Sequence, residues 1–164
     1  KMFIRDISEI GTDLYAESIN KAISSALNFY MKSEKCEVRT LVQKYGFSAS
    51  SVYKWKRGDA CPDFHNLITL ADEFGCPLDC LIGREPLDND YGYIPKPVTK
   101  PFCDTFNEII KEKGLTEYRL VKAMGVSRTK ISAWRKGKSL PDAKGLYDLA
   151  ELLDISADSL VGRE

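Results

Sequence analysis

The sequence predicts an all-α chain built from two copies of one small helical unit, and three observations lead there. The first is a repeat without gaps. Placing Gly46 over Gly125 pairs Leu41-Val42 with Leu120-Val121, Ser48 with Ser127, Val52 with Ile131, Trp55 with Trp134, Gly58 with Gly137 and Pro62-Asp63 with Pro141-Asp142. The offset of 79 residues, the distance from Gly46 to Gly125, holds forward to Gly83-Arg84-Glu85 over Gly162-Arg163-Glu164 and backward to Ile23 over Phe102. The second is apolar periodicity: Leu120, Val121 and Met124 share one helix face, and Ile131 and Trp134 share another. The third is punctuation, a glycine ending one helix and a serine able to cap the next, as at Gly125 and Ser127.

Taken in order, residues 1–22 form an N-terminal arm, with Lys1 ahead of Met2, the expected start. Phe3, Ile4, Ile7 and Ile10 are apolar at roughly helical spacing before Gly11 interrupts. Thr12 can cap a long helix whose face is Tyr15, Ile19, Ala22, Ile23, Ala26, Leu27 and Tyr30, running to about Lys32. The arm has no counterpart in the second copy. Two readings stand for it: packing on the neighbouring repeat, or a dimerisation arm that makes a homodimer.

The first repeat, residues 23–85, continues with helices over Glu37–Tyr45 and Ser48–Arg57, separated by Gly46-Phe47. A third helix over Asp63–Phe74 follows, with Leu67, Leu70 and Ala71 inside, and a short closing helix over Leu78–Ile82. Residues 86–101 lie in EPLDNDYGYIPKPVTKP, which has four prolines and no helical period and so reads as a semi-rigid linker. Tyr91, Tyr93 and Ile94 are candidates for anchoring it to a domain surface. The second repeat, residues 102–164, opens with Phe102, Phe106, Ile109 and Ile110 on one face. Lys113-Gly114 ends that helix and Thr116 caps the next. Trp55 and Trp134 point inward by their spacing from Val52 and Ile131.

Composition bounds the function. With 43% hydrophobic and 29% charged residues the chain reads as a soluble globular protein. No apolar run approaches the roughly 18 residues of a membrane span and no signal-peptide pattern opens the chain, so a cytoplasmic location is expected. Units of this size bury only about 60% of the surface their unfolded chains expose, so packing between repeats or chains would add stability.

The net charge is zero, from 24 basic and 24 acidic residues, yet the distribution is uneven. Arg119, Lys122, Arg128, Lys130, Arg135, Lys136 and Lys138 fall in one acid-free stretch. Arg39, Lys44, Lys54, Lys56 and Arg57 fall in another. Acid collects in the helices that follow, at Asp72, Glu73, Asp148, Glu151, Asp154 and Asp158. A neutral chain with two basic faces has the electrostatic footprint that phosphate requires.

The five cysteines, Cys36, Cys61, Cys76, Cys80 and Cys103, form no CxxC pair. Cys61, His65, Cys76 and Cys80 have a spacing to weigh as a zinc set, but Leu140, Lys144, Ile155 and Ser159 stand at the matching places in the second copy. No metal is expected; Cys61 and Cys76 read as small core hydrophobes. No cofactor, small-molecule ligand or enzyme activity is expected either, since there is one histidine, His65, no nucleophile-and-base motif and no glycine-rich phosphate loop.

The combination of a short helix, glycine, serine, a second helix with Trp before a basic pair and glycine, then Pro-Asp and an amphipathic helix, resembles the Cro/C1-type (XRE) helix-turn-helix family over both repeats, about three quarters of the chain. The resemblance implies two tandem lambda-repressor-like domains of about five helices each and a duplex DNA partner. In such a motif the N-terminal residues of the second helix face base edges in the major groove. The base-reading positions then fall on Ser127, Arg128, Thr129 and Lys130, with Ser132 and Ala133 further along, and Arg135, Lys136 and Lys138 suit phosphate. In the first repeat the same positions hold Ser48, Ala49, Ser50 and Ser51, then Tyr53, Lys54, Lys56 and Arg57. That set either reads a different half-site or supplies mainly phosphate contact.

Two departures from the family pattern bear on docking. Val38 and Glu117 stand where many members carry a phosphate-binding glutamine, and a glutamate there should be repelled by phosphate unless it caps. Val42 and Val121 replace a small residue at the helix crossing. As a free linker the seventeen residues from Glu85 to Pro101 would reach about 50 Å in polyproline form, more than the roughly 34 Å between half-sites.

Two functions from different classes fit the sequence. One is a sequence-specific double-stranded DNA-binding transcriptional regulator, a repressor by operator occupation. The other is a protein-interaction module on the same scaffold, such as an antitoxin, a phage inhibitor or an adaptor, suggested by the zero net charge, the short side chains at positions 48–51 and the apolar arm.

Overall fold

A computed structural model describes residues 12–87 and 92–163, with side chains from Ser18 onward. All regular secondary structure among the described residues is α-helical, in ten segments. The chain divides into an N-terminal unit ending at Pro95 and a C-terminal unit beginning at Lys96. The arm residues Phe3, Ile4, Ile7 and Ile10, and the Tyr15 and Tyr91 side chains, lie outside the described residues, and with them the dimerisation reading.

The N-terminal unit holds α1 (Thr12–Ser33), α2 (Val38–Tyr45), α3 (Ala49–Arg57), α4 (Phe64–Phe74) and α5 (Leu78–Leu81). Its core is built on α1, which buries Ile19, Ile23, Ala26, Leu27, Tyr30 and Met31 at successive turns. Tyr30 stacks on Phe74 of α4, with ring centroids 5.5 Å apart. Trp55 of α3 is buried and meets the edge of Phe47 at 5.3 Å.

The C-terminal unit repeats the plan with α6 (Phe102–Glu112), α7 (Glu117–Met124), α8 (Arg128–Arg135), α9 (Ala143–Leu153) and α10 (Ala157–Leu160). Phe106, Leu120, Ile131, Trp134, Leu146, Leu149 and Leu160 are buried. By analogy with other large core aromatics, truncating Trp134 to alanine would cost about 3–5 kcal/mol.

The repeat extends to individual hydrogen bonds. Asn28 Nδ2 donates to the Lys56 carbonyl at 3.0 Å, and Asn107 Nδ2 donates to the Arg135 carbonyl at 2.9 Å, each gripping the end of α3 or α8 from the unit's first helix. Arg84 pairs with Asp79 and Arg163 with Asp158, closing the final turn of each unit. Gly83 and Gly162 allow those turns to sit close to their neighbours. A Cβ on Gly83 would lie 2.6 Å from the Ala22 Cβ, and one on Gly162 would lie 2.9 Å from the Lys100 carbonyl oxygen.

The linker departs from the free spacer expected of it. Thr99 N donates to the Gly162 carbonyl at 2.9 Å and Arg163 Nε donates to the Lys96 carbonyl at 3.3 Å, so residues 96–100 dock on the end of their own unit. On the other side, the Tyr30 hydroxyl donates to the Leu87 carbonyl at 3.2 Å. The 50 Å reach of a free linker is shortened accordingly. Ile94, a candidate anchor, is 76% exposed; in these bonds the linker contributes the carbonyls of Leu87 and Lys96 and the N–H of Thr99, whose hydroxyl also donates to the Gly162 carbonyl at 3.3 Å. Tyr93 is half-buried.

Candidate nucleic-acid interface

The turn between α7 and α8 sets the site. Gly125 closes α7, its N–H donating to the Val121 carbonyl at 2.9 Å. Ser127 then caps α8, its hydroxyl accepting from the Lys130 N–H at 3.1 Å. With Ile131 and Trp134 pinned in the core, the opposite face turns outward at Arg128, Thr129 and Lys130.

Arg128, Thr129, Ser132, Ala133, Lys136 and Lys138 line one open recess of about 560 Å³, together with Glu117 of α7. The other expected residues are placed differently. Ser127 uses its hydroxyl as the cap. Lys130 leaves the recess, its Nζ 5.8 Å from the Trp134 ring centroid. Arg135, expected to meet phosphate, is half-exposed and engaged within the unit: Nε donates to Asn107 Oδ1 at 2.9 Å and Nη1 to Glu117 Oε1 at 3.1 Å. Its neighbours Lys136 and Lys138 stay exposed.

Glu117 does not take the capping role left open for it. Thr116 is the cap of α7, accepting from the Arg119 N–H at 3.2 Å, so Glu117 does not cap. It bridges two arginines instead, with Oε1 on Arg135 and Oε2 3.4 Å from Arg128 Nε. Its charge is therefore matched by the basic residues around it. Sequence reasoning missed this bridge because Glu117 lies on α7 and both partners on α8, so no spacing along a single helix relates them. The Asn107 grip did leave a signal, since asparagine recurs at Asn28 under the 79-residue offset.

In the N-terminal unit Ser48 caps α3, accepting from the Ser51 N–H at 3.2 Å, and Ala49 and Ser50 are exposed while Ser51 is half-buried. Tyr53 and Lys54 point to solvent. Arg57 pairs with Asp59 at 2.9 Å, with both side chains exposed, so little binds it in place. Lys56 is half-buried and lines a separate recess with Asn28, Lys32 and Lys35. Val38 and Ala49 occupy the places of Glu117 and Arg128, so no arginine bridge forms there. Behind the helix, Glu73 accepts from Lys44 Nζ at 2.7 Å and from the Tyr45 hydroxyl, which holds its carboxyl below the ordinary value.

Among the described residues no group of three metal-ligating side chains comes together. Cys76 and Cys80 are buried and His65 is exposed. Cys61, expected in the core, is half-buried with Sγ against Asn20 Oδ1, because α1 leaves a polar edge at that point. Among the described residues no helix is long and apolar enough to cross a membrane.

A family model described as a helix-turn-helix domain matches residues 105–163, which spans α7, the turn and α8. The chain is 30% identical over 63 residues to an uncharacterized HTH-type transcriptional regulator of Bacillus subtilis (strain 168), YqaE, covering 38% of this chain and 54% of that protein. It is 33% identical over 63 residues to the HTH-type transcriptional activator BcrR of Enterococcus faecalis, covering 36% and 31%. The chain thus spans about half or less of the length of those two relatives. A third relative, the uncharacterized HTH-type transcriptional regulator YazB of Bacillus subtilis (strain 168), is 39% identical over 54 residues, 33% of this chain and 78% of that protein. No solved structure matches the chain. With a helix-turn-helix model over its C-terminal unit and YazB matched across most of its length, the chain belongs to the family of HTH-type transcriptional regulators.

Proposed function

We propose that the chain is a sequence-specific, double-stranded DNA-binding transcriptional regulator of the Cro/C1 (XRE) type, with one helix-turn-helix domain in each repeat and α8 as the principal reader. It acts as a repressor by occupying an operator. The observation that carries this reading is the outward face of α8: Arg128, Thr129, Ser132, Lys136 and Lys138 converge on one recess, while Ile131 and Trp134 hold the helix from behind. An α-helix presented this way fits the major groove, where an arginine can fork onto guanine O6 and N7. Lys136 and Lys138, and Arg119 and Lys122 on α7, are exposed cations suited to phosphate.

Selection from a randomised duplex library, followed by mobility shifts, tests the reading. An enriched site is expected, and Arg128→Ala should lower the preference for one of its guanines by about 1–3 kcal/mol. Binding through several phosphates should also fall steeply with salt. No enriched site, or an unchanged preference in Arg128→Ala, would remove α8 as reader. Because BcrR is named an activator, a promoter reporter scored in both directions tests repression separately.

A second reading applies to the N-terminal unit. Ala49, Ser50 and Ser51 reach only a short way from α3, and Tyr53 beside them is 49% exposed, a surface better suited to a protein partner than to base edges. Salt-insensitive binding of another protein would favour it.

A further inference from the structure

Resting on α8 as the reader, we propose that Glu117 is a positioning residue that sets the base discrimination of Arg128. Its carboxylate uses one oxygen for each of two arginines: Oε1 is 3.1 Å from Arg135 Nη1, and Oε2 is 3.4 Å from Arg128 Nε. The first arginine is fixed. Arg135 donates from Nε to Asn107 Oδ1 at 2.9 Å, and Asn107 donates back to the Arg135 carbonyl at 2.9 Å. Glu117 is thereby anchored from α6 through α8, and its side chain is only 21% exposed against 81% for Arg128. The bridge therefore has a rigid end and a free end, and the free end is the reader.

The contact falls on Nε, so the terminal fork of Arg128 is left for a base edge. An exposed arginine samples many rotamers, and freezing them on binding weakens the contact; an acceptor at Nε removes part of that loss in advance. The negative charge beside it also opposes nearby phosphate, which steers the guanidinium away from the backbone and toward the groove floor. Glu117 thus lowers affinity for arbitrary duplex and raises discrimination.

A purely structural ion pair would affect stability alone, so the test reads discrimination and non-specific affinity together. Full-length wild type, Glu117→Gln, Glu117→Asp, Arg128→Ala and the Glu117→Gln/Arg128→Ala double variant are compared on the selected duplex, on the same duplex with the guanine replaced, and on unrelated duplex, with melting curves as the folding control. Glu117→Gln is expected to bind unrelated duplex on the order of twofold to threefold more tightly, and to lose on the order of fivefold of the guanine preference, near the lower bound of a bidentate contact. Glu117→Asp keeps the charge but draws the carboxylate back by one methylene. It should lose guanine preference without gaining non-specific affinity, and this arm decides the matter if Glu117→Gln is poorly folded. In the Arg128→Ala background, Glu117→Gln should no longer change discrimination. Retained guanine preference in both Glu117 variants, alongside its loss in Arg128→Ala, overturns the role of Glu117 while leaving α8 as reader. A wild type without a preferred site, or an Arg128→Ala that reads like wild type, overturns the reading of α8 itself.

Discussion

Helices α3 and α8 occupy the same place in two copies of one plan and present different surfaces. Both are capped by serine, both bury an aliphatic residue and a tryptophan three positions apart, and both have a carbonyl of their last turn gripped by an asparagine of the unit's first helix. Outward, α8 carries Arg128 with Glu117 behind it, and α3 carries Ala49 with Val38 behind it. The contacts shared by the copies are those that place the helix, and most of them end on backbone atoms. The copies differ in side chain-to-side chain contacts on the solvent face, and in the bond from the Ser24 hydroxyl to the Lys56 carbonyl, since Cys103 stands at the place matching Ser24. On this pair of helices the outward surface differs, while the serine cap, the buried tryptophan and the asparagine grip beneath it are kept.

The sharpest way to break the comparison is to remove a shared element in one copy at a time. Gly83→Ala and Gly162→Ala each put a Cβ into a neighbour at positive φ, and each should destabilise its own unit by about 2–4 kcal/mol. Chemical denaturation followed through Trp55 or Trp134, with the other tryptophan replaced by phenylalanine, would show which unit responds. Equal loss in both units from either substitution would mean that the units do not unfold separately.

The second test adds the missing surface. Ala49→Arg with Val38→Glu and Lys56→Arg rebuilds the arginine bridge on α3, and should give that helix a base preference of about 1–3 kcal/mol in a duplex selection. Ala49→Arg alone should give less.

A smaller effect comes from two backbone positions where the copies exchange roles. Lys35 has φ 51° where its counterpart Gly114 has 61°, and Asp154 has φ 53° where its counterpart Gly75 has 62°. Lys35→Gly and Asp154→Gly should each raise thermal stability, by about 0.5–1 kcal/mol, the lysine site more because aspartate tolerates the left-handed region better.

The smallest concerns acid. Hydrogen bonds from Lys44 and Tyr45 lower the folded-state pKa of Glu73 below 4.5, so the unfolded chain binds its proton more readily. The stability contributed by this group is complete above the unfolded value and is lost as pH falls through the folded one. Compared with Glu73→Gln, the wild-type melting temperature should drop by about a further 2–4 °C on acidification below pH 4.5, with no such difference at neutral pH. Exposure of Lys44 keeps the effect small.

Much of the site was legible in the sequence because helical periodicity and caps are local. Ser127, Ile131 and Trp134 place α8 in register, and once it is in register Arg128, Thr129 and Lys130 can only face outward. Arg135 shows what local spacing leaves out: its position in a basic run marks it for phosphate, and nothing local reveals that Asn107 and Glu117 also engage it.

By itself the sequence determined the helical class, the 79-residue repeat, the ends of the helices and the outward face of each second helix, since these follow from spacing and capping along the chain. Only the tertiary structure decided which cations remain free, where the linker attaches and that Glu117 joins two arginines. Those facts depend on which side chains from separate helices come within about 3 Å of one another, the range of a hydrogen bond, and packing between helices sets that distance.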